Sequence, residues 1–323
     1  MTEGWTHEAS PFHEGEKAIQ ERAGVRDRAE MLARRVVRDH MPDQHREFYE
    51  NLPFLVLGSV DEGGRPWASL IAGPQGFMTT PDATHLSIKA CPLPGDPLAQ
   101  ALKTGAQLGV LGIDPATRRR NRMAGEALNV SDDGFDIEVV QAFGNCPKFI
   151  QTRDFVYTGN NTQNVPGLIE ESSNLDTAAQ SLIAAADTFF IASSYSDEKN
   201  SLANGSDVSH RGGKPGFVKI EDDKSLLFPD FTGNKHFNTI GNLLLNPKAG
   251  LTFIDFETND ILFLTGEAEV LWDDERLESF EGAERLIRFK VDTLIRSKNT
   301  LPFQVAFNEF SPFLSKTGDW SSS

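Results

Sequence analysis

Two polar segments that combine glycine with basic residues stand out in an otherwise acidic chain. The first, residues 209–217, reads S-H-R-G-G-K-P-G-F and places Arg211 and Lys214 beside three glycines. Glycine lets the backbone approach a ligand closely, and the two cations supply positive charge. The second, residues 229–239, reads P-D-F-T-G-N-K-H-F-N-T and leads from a predicted strand into a predicted helix.

The second segment would place Asn234 and Lys235 in the first turn of that helix. The unpaired N–H groups and positive dipole end of a helix suit a phosphate dianion. Alternatively, the segment is a polar turn in which Asn234 caps the helix. Each segment alone is equally consistent with a structural role, but the two together favour an anion site.

Several common catalytic motifs are absent from the sequence. It has no G-x-G-x-x-G after a strand, no G-x-x-x-x-G-K-[ST] and no G-x-S-x-G. His40 and His45 are separated by Pro42, and no histidines cluster with cysteines or carboxylates at metal-ligand spacing. These absences disfavour a Rossmann dehydrogenase, a P-loop enzyme and a zinc hydrolase, and we expect no metal site.

Composition narrows the class of protein further. The 323 residues carry a net charge of −16, which disfavours binding to nucleic acid or to anionic lipid. Residues 1–10 lack the basic and apolar regions of a signal peptide, and the apolar stretch 182–192 is too short to span a bilayer. Cys91 and Cys146 form no C-x-x-C motif. We therefore expect a soluble, cytoplasmic protein.

An internal repeat divides the chain. At an offset of 141, Gly109 matches Gly250, and the triplet G-E-A at 125–127 matches the triplet at 266–268. At an offset of 140, G-F at 76–77 matches G-F at 216–217. Because order and register persist, we infer a duplicated domain, with units near residues 50–150 and 185–275.

Each unit shows the same local pattern of short strands with one inserted helix. The predicted strands include 54–60, 107–114 and 122–130 in the first unit, and 188–195, 249–256 and 261–271 in the second. The inserted helices are predicted at 96–104 and 234–245. Many short strands around one helix favour a small barrel, because closure removes exposed sheet edges.

The predicted fold class is mainly β with α, with flanking helices at 16–40 and 280–297. The chain divides into an N-terminal helical segment (1–50), a first barrel (51–160), and a second barrel with a C-terminal helix (161–323). The flanking helices make a homodimer possible.

The strings S-H-R-G-G-K-P-G-F-V, L-L-F-P-D-F-T-G-N-K, N-P-K-A-G-L-T-F-I-D-F and T-G-E-A resemble the FMN-binding proteins related to pyridoxamine 5′-phosphate oxidase. The resemblance covers most of residues 45–275. It implies two tandem split β-barrels that form an intrachain pseudo-dimer, with FMN at the barrel–barrel interface. By this resemblance Arg211 and Lys235 hold the phosphate, and Asn234, Thr239 and Asn242 contact phosphate or ribityl groups. The same strings supply four further cofactor-binding candidates, which are His210, Lys214, Phe237 and Asn238.

The first unit departs from the family pattern. It has Gly-Asp-Pro at 95–97, where Asp96 would repel a phosphate, so we expect its own site to be degenerate. Its ending, F-G-N-C-P-K-F-I-Q-T-R at 143–153, is similar to the family's Cys-x-Lys ending and implies that Lys148 and Arg153 reach the neighbouring barrel's cofactor. One FMN per chain follows. The basic run 118–122 is as consistent with a solvated hairpin as with a ligand or partner contact. Leu262-Phe263-Leu264 stands where many relatives carry an Arg, which weakens the transfer of flavin-ring contacts.

The resemblance implies an FMN-dependent oxidoreductase acting on an unidentified small molecule. A flavin-binding or redox-sensing protein without turnover is the first alternative. A tetrapyrrole-binding split barrel is the second, with His210 and His236 as candidate axial ligands. No catalytic base is evident from the sequence. His13 and Glu14, which precede the first helix, either contact a substrate or cap that helix.

Overall fold

The computed structural model describes residues 4–159, 168–197, 201–278 and 280–320. The helices are α1 Glu14–Arg22, α2 Arg26–Val36, α3 Asp43–Glu50, α4 Leu98–Ala101, α5 Thr177–Ala185 and α6 Asn238–Leu245. The strands of the first unit are β1 Phe54–Val60, β2 Pro66–Ala72, β3 Met78–Thr79, β4 His85–Ile88, β5 Gln107–Asp114, β6 Arg119–Ser131 and β7 Gly134–Asn145. The later strands are β8 Thr152–Tyr157, β9 Ile169–Ser172, β10 Thr188–Tyr195, β11 Gly205–Gly212, β12 Lys219–Ile220, β13 Ser225–Phe231, β14 Lys248–Asp255, β15 Asp260–Leu271, β16 Ala283–Ser297 and β17 Phe303–Glu309.

The two units have the same sheet topology. The first sheet runs β2-β1-β5-β6-β7-β4-β3, and the second runs β11-β10-β14-β15-β16-β13-β12. Every strand of one sheet therefore has a counterpart in the other, and each unit inserts its helix, α4 or α6, at the same point of the chain. The duplication inferred from the sequence is confirmed, as is the mainly β class with two tandem split barrels. Outside this pattern, β9 pairs with β16, and β8 pairs with β17.

A hydrophobic cluster joins the two units. Each barrel has its own core, but a third cluster contains residues of both units, including Trp67 and Leu111 from the first and Phe190 and Phe263 from the second. All four side chains are buried. Burial of apolar side chains from both units therefore stabilises their association.

Matching glycines allow the two barrels to approach closely. A Cβ at Gly109 on β5 would lie 2.7 Å from the Ser206 carbonyl oxygen on β11. A Cβ at Gly250 on β14 would lie 2.4 Å from the Pro66 carbonyl oxygen on β2. Since β5 corresponds to β14 and β11 to β2, these are two copies of one contact, related by the repeat. The units therefore pack as an intrachain pseudo-dimer.

Two predicted helices differ from the structure. The helix expected at 16–40 is interrupted at Gly24, whose φ of +65° is not helical, so α1 and α2 are separate.

The C-terminal helix expected at 280–297 is wrong, because this segment is the long strand β16. Ile287, Phe289 and Val291 are buried, whereas Lys290 and Asp292 are exposed, and this alternation is the period of a strand. The chain ends instead with β17 and a short 3₁₀ turn, Pro312–Lys316. The domain boundary predicted between residues 160 and 161 lies outside the described residues.

Within the described ranges, no helix combines the length and the hydropathy needed to cross a bilayer.

Candidate functional site

A polar cleft lies where the first unit meets the two segments of the second unit that are predicted to bind phosphate. Its cavity volume is about 90 Å³, and about 550 Å³ when the open space at its mouth is included. The first unit contributes Arg120, Arg122, Asn145 and Cys146. The second contributes Ser209, His210, Arg211, Asp230, Phe231, Gly233, Asn234, Lys235, Phe237, Asn238, Thr239, Ile240, Glu284 and Arg285.

Carboxylates already pair with the cations on the second-unit side. Arg211 at the end of β11 forms an ion pair with Asp230 on β13, and Lys235 pairs with Glu284. Arg285 on β16 lies between these pairs, with its Nε 3.4 Å from an Asp230 oxygen and an ion pair to Glu284. The Nε of Arg211 and the Nη1 of Arg285 are buried without a hydrogen-bond partner among the described residues. An acceptor-rich ligand would satisfy these donors.

Arg122 crosses from the first unit into the second. It is 5% exposed and forms an ion pair of 3.0 Å with Asp207. It also donates to the Val208 carbonyl and, at 3.0 Å, to the Asn238 side-chain oxygen at the start of α6. This guanidinium therefore links β6 of one barrel to β11 and α6 of the other.

Arg120 lies two residues earlier on the same face of β6. Its Nε donates to the Cys146 carbonyl at 2.6 Å, and its Nη1 lies 3.4 Å from His210 Nδ1. Within the described part of the chain, no carboxylate forms an ion pair with Arg120. Burial lowers the pKa values of both Arg120 and Arg122 from their ordinary values. Arg120 is half-buried, and a partly desolvated guanidinium without a carboxylate carries a cost that a bound anion would offset.

The charges of the cleft do not balance. Five cations line it, Arg120, Arg122, Arg211, Lys235 and Arg285. Three carboxylates face them: Asp230 and Glu284 in the lining, and Asp207 paired with Arg122. Two positive charges remain, in a chain whose net charge is −16. A phosphate dianion would neutralise them.

The loop before α6 exposes the start of that helix to the cleft. Lys235 and Phe237 have φ values of +64° and +63°, a left-handed conformation that is uncommon for residues other than glycine. The helix begins at Asn238, not at 234, and no side chain caps it. Asn234 therefore does not cap α6, and its Oδ1 accepts from the His236 backbone N–H at 3.0 Å. The strained turn leaves first-turn N–H groups available for an anion.

The structure gathers most of the predicted binding residues. His210, Arg211, Asn234, Lys235, Phe237, Asn238 and Thr239 all line the cleft. Lys148 lies in an adjoining hollow that also contains Arg211 and His210. Burial, followed by the nearby arginines, lowers the pKa of His210 well below its usual value, so this imidazole is neutral at pH 7.

Three predicted binding residues lie elsewhere. Lys214 donates to the Thr317 carbonyl at 2.7 Å, and Arg153 forms an ion pair of 2.6 Å with Asp187. Neither side chain lines the cleft. This placement of Arg153 contradicts the prediction that it reaches the cofactor site of the neighbouring barrel. Asn242 lies one turn into α6, where its Oδ1 is 2.8 Å from His13 Nε2 and its Nδ2 donates to Ser193.

The segment before α1 packs on α6. His13 caps α1 by accepting from the Gly15 N–H at 3.1 Å, and burial lowers the pKa of His13 to about 4. Glu16 accepts from the His13 N–H at 2.8 Å and from the Asn238 side chain, and burial raises the pKa of Glu16 to about 8. Of the two roles left open by the sequence, His13 performs the capping one.

Arg120 and Arg122 were not among the predicted binding residues. The sequence signal was present, because alternation along a strand puts these two on one face and Arg119 on the other. Arg119 is indeed exposed, with its guanidinium 5.1 Å from the Phe48 ring centre. The sequence leaves 118–122 open between a solvated hairpin and a ligand or partner contact, and it predicts the strand only from residue 122, whereas β6 begins at Arg119.

Comparison with known families identifies the second unit. Residues 175–307 match the family model described as pyridoxamine 5′-phosphate oxidase. This segment is a split barrel similar to those of the pyridoxamine 5′-phosphate oxidase family. The match spans all the second-unit residues of the cleft, whereas Arg120, Arg122, Asn145 and Cys146 lie outside it. The arginine pair is therefore supplied to the pyridoxamine 5′-phosphate oxidase-like barrel by the other unit.

Similar solved structures have low identity to the chain. A HupZ variant from Group A Streptococcus is 16% identical, with a TM-score of 0.29, and the match covers 38% of this chain and 98% of that one. A candidate pyridoxamine 5′-phosphate oxidase from Lactobacillus delbrueckii is 16% identical, with a TM-score of 0.31, covering 38% and 94%. A candidate 5-nitroimidazole antibiotic resistance protein from Bacteroides thetaiotaomicron is 14% identical, with a TM-score of 0.28, covering 48% and 96%. No curated protein matches the chain.

Exchanging the two units of the repeat maps the cleft onto a second position in the interface between the barrels. The side chains at this second position are apolar. By strand register, Ile71 of the first split barrel occupies the place of Arg211. Ile261 and Phe263 of the pyridoxamine 5′-phosphate oxidase-like barrel occupy the places of Arg120 and Arg122. All three side chains are fully buried. One interface position is therefore a charged cleft, and its counterpart is hydrophobic core.

No group of three or more histidine, cysteine or acidic side chains in the described residues is arranged to hold a metal ion.

Proposed function

We propose that this protein is an FMN-binding flavoprotein that holds one FMN per chain and acts as an oxidoreductase on a small molecule. The observation that carries the proposal is the excess of two positive charges in the cleft, centred on Arg120, which forms no ion pair with any described carboxylate. This excess lies beside a strained loop that presents the start of α6. The family match of the second unit supports a flavin as the ligand.

The phosphate of FMN would be held by residues of both units. Arg211 and Lys235 would be its cations on one side, and Arg120 would be its cation on the other. The backbone N–H groups in the uncapped first turn of α6 would donate further hydrogen bonds, and the Thr239 hydroxyl, which already donates to Asp207, would lie beside them. Arg122 would act indirectly, because its hydrogen bonds are already used in joining β11 to α6.

Bound flavin would supply hydride transfer, while the protein supplies binding, orientation and control of solvent. Phe231, Phe237 and Ile240 give the cleft an apolar side against which a planar ring could pack. His210 is neutral and lies next to Arg120, so it can accept a hydrogen bond within the cleft without adding positive charge.

No observation favours the tetrapyrrole alternative. His236 packs between the rings of Phe12 and Phe143, with centroid separations of 5.4 and 5.3 Å, and does not line the cleft. His210 lines the cleft but lies among arginines that suit a phosphate better than a haem iron.

The first experiment is to record the absorption spectrum of the purified protein and to identify its chromophore by mass spectrometry. Release of FMN at about one per chain is the expected result. A colourless protein that does not take up FMN would refute the proposal. Reduction of the bound flavin by NADH or NADPH would support turnover, and its absence with both donors would favour a flavin-binding or sensing role.

The phosphate assignment is tested by comparing FMN with riboflavin, which lacks the phosphate. We expect the wild-type protein to bind FMN far more tightly, and we expect Arg211→Ala to lose about 10- to 100-fold in FMN affinity with little change for riboflavin. Arg28→Ala, at an exposed arginine on α2, is the matched control and should change neither. Equal losses for both ligands would contradict a phosphate contact at Arg211.

A further inference from the structure

A second cavity borders the second unit and shares no lining residue with the cleft. It contains about 1040 Å³ of space including its open mouth. Its walls come from the end of α5, the start of β10, the end of β14 with the residues that follow it, and the antiparallel strand pair β8–β17 with Phe310. Because it is separate, it does not depend on the function proposed for the cleft.

Two buried polar atoms in this cavity wall have no partner. Thr188 is 8% exposed, and its hydroxyl makes no hydrogen bond to any described residue. Asp187 is 7% exposed, and only one of its oxygens, Oδ2, is used, in the ion pair with Arg153. Its Oδ1 is buried and also unpartnered within the described ranges. Buried acceptors without donors are costly, and a ligand that donates hydrogen bonds would relieve that cost.

The cavity is acidic and aromatic. Three carboxylates, Asp187, Asp255 and Glu257, line it against a single cation, Arg153, which leaves two negative charges. The Arg153 guanidinium lies 4.4 Å from the Phe256 ring centre and 5.4 Å from that of Phe307, so these rings already accommodate a cation. Such rings attract cations through their quadrupoles.

Two aromatic side chains at the mouth remain exposed. Phe307 and Phe310 are each 48% exposed, and their ring centres are 4.8 Å apart. They form an apolar wall opposite the carboxylates at the end of β14. An apolar ligand body packed on this wall would remove that surface from water.

We propose that this cavity is a second binding site, for an organic amine with an aromatic or other apolar body. The ammonium group donates to the Thr188 hydroxyl and to Asp187 Oδ1, and Asp255 and Glu257 attract its charge. The apolar body packs against Phe307 and Phe310. The unpartnered acceptors, the negative charge of the cavity and its aromatic wall each favour an amine over a carboxylate of the same size.

The test uses the full chain and two probes of similar shape, 2-phenylethylamine and 3-phenylpropanoate. Binding is measured by isothermal titration calorimetry at low ionic strength. We expect saturable binding of the amine, at least tenfold tighter than that of the carboxylate. Thr188→Val keeps the side-chain shape and should weaken amine binding about tenfold, the effect expected for one hydrogen bond to a charged group.

Two further variants keep the test decisive. Phe310→Ala changes an exposed side chain, so it should fold normally and should weaken amine binding even if Thr188→Val fails to fold. Arg211→Ala lies in the cleft and should leave amine binding unchanged, which separates this site from the proposed FMN site. Failure of the amine to saturate, a preference for the carboxylate, or indifference of the amine to both Thr188→Val and Phe310→Ala would overturn the proposal. Self-association that Phe310→Ala abolishes, without amine binding, would assign the surface to a second copy of the chain instead.

Discussion

Replacing Arg120 by methionine should make the ligand-free protein more stable while weakening its binding of FMN. Arg120 is a cation inside a cleft that already has a positive excess, and no carboxylate in the described residues pairs with it. Methionine fills a similar volume without a charge. Stability and ligand affinity should therefore move in opposite directions.

The size of the effect follows from the contacts of Arg120. The substitution loses one good hydrogen bond, the 2.6 Å bond from Nε to the Cys146 carbonyl. That bond is worth about 1.5–3 kcal/mol, whereas desolvating a guanidinium that has no carboxylate partner and lies among other cations costs several kcal/mol. We expect a net stabilisation of roughly 1–2 kcal/mol, which raises Tm by about 1.5–3 °C for a chain of this length. Loss of a charged contact to phosphate should weaken FMN binding about 10- to 100-fold.

The assay compares protein freed of bound small molecules, melted in phosphate-free buffer, with the same protein titrated with FMN. Arg28→Met, on the exposed face of α2, is the control and should change neither Tm nor affinity. A variant at Arg120 that melts lower than the wild type and still binds FMN equally well would refute the reasoning, because Arg120 would then be a structural residue.

Three further predictions concern the fold. Gly250→Ala should destabilise the protein by about 1–3 kcal/mol, because the new Cβ would lie 2.4 Å from the Pro66 carbonyl oxygen. Gly144→Ala, whose Cβ would approach nothing closer than 3.7 Å, is its control in urea unfolding, and equal effects of the two would contradict the close barrel contact. Burial raises the pKa of Asp96 to about 7, so the folded state keeps a proton that the unfolded state loses above about pH 4. The contribution of this group to the free energy of unfolding should therefore fall as pH rises from 4 to 7. In urea unfolding, the stability of Asp96→Asn relative to the wild type should increase between pH 5 and 8. A difference in unfolding free energy that does not change with pH would exclude this linkage. His13→Ala should lower the free energy of unfolding by about 1–2 kcal/mol through loss of the α1 cap. An unchanged melting curve would show that neither the cap nor the contact with Asn242 stabilises the fold.

Much of the fold could be predicted because the repeat constrains it. Strands β1, β5 and β10 begin and end where their runs of apolar residues predict. Glycines matched by the repeat, such as Gly109 and Gly250, mark a shared interface even though one glycine alone says little.

The helix predictions that differ from the structure lie where the pattern of apolar residues also fits a helix. In β16, Leu286, Ile287, Leu294 and Ile295 also fit a helical face, and only the exposure of Lys290 and Asp292 between buried neighbours decides for a strand. In the N-terminal segment, one glycine with positive φ separates two helices whose apolar patterns run on across it.

The second-unit half of the candidate site could be predicted from its glycines and basic residues, but the first-unit half could not. Whether an arginine on β6 enters the cleft depends on how the barrels pack, which is a tertiary property. Lys214 and Arg153 illustrate the reverse case. Their charge made them candidates, yet each found a nearby acceptor, the Thr317 carbonyl and Asp187 respectively, outside the cleft.

Joining the two barrels in one chain has a consequence for how the site persists. In a dimer of identical subunits, any arginine placed at one interface position appears at its symmetry mate, and dilution separates the halves. Here Arg120 and Arg122 occur once, their counterparts Ile261 and Phe263 help to hold the units together, and the linkage keeps each barrel at about millimolar effective concentration of the other. The cleft should therefore remain assembled at any protein concentration, with its charge repulsion confined to one side of the interface.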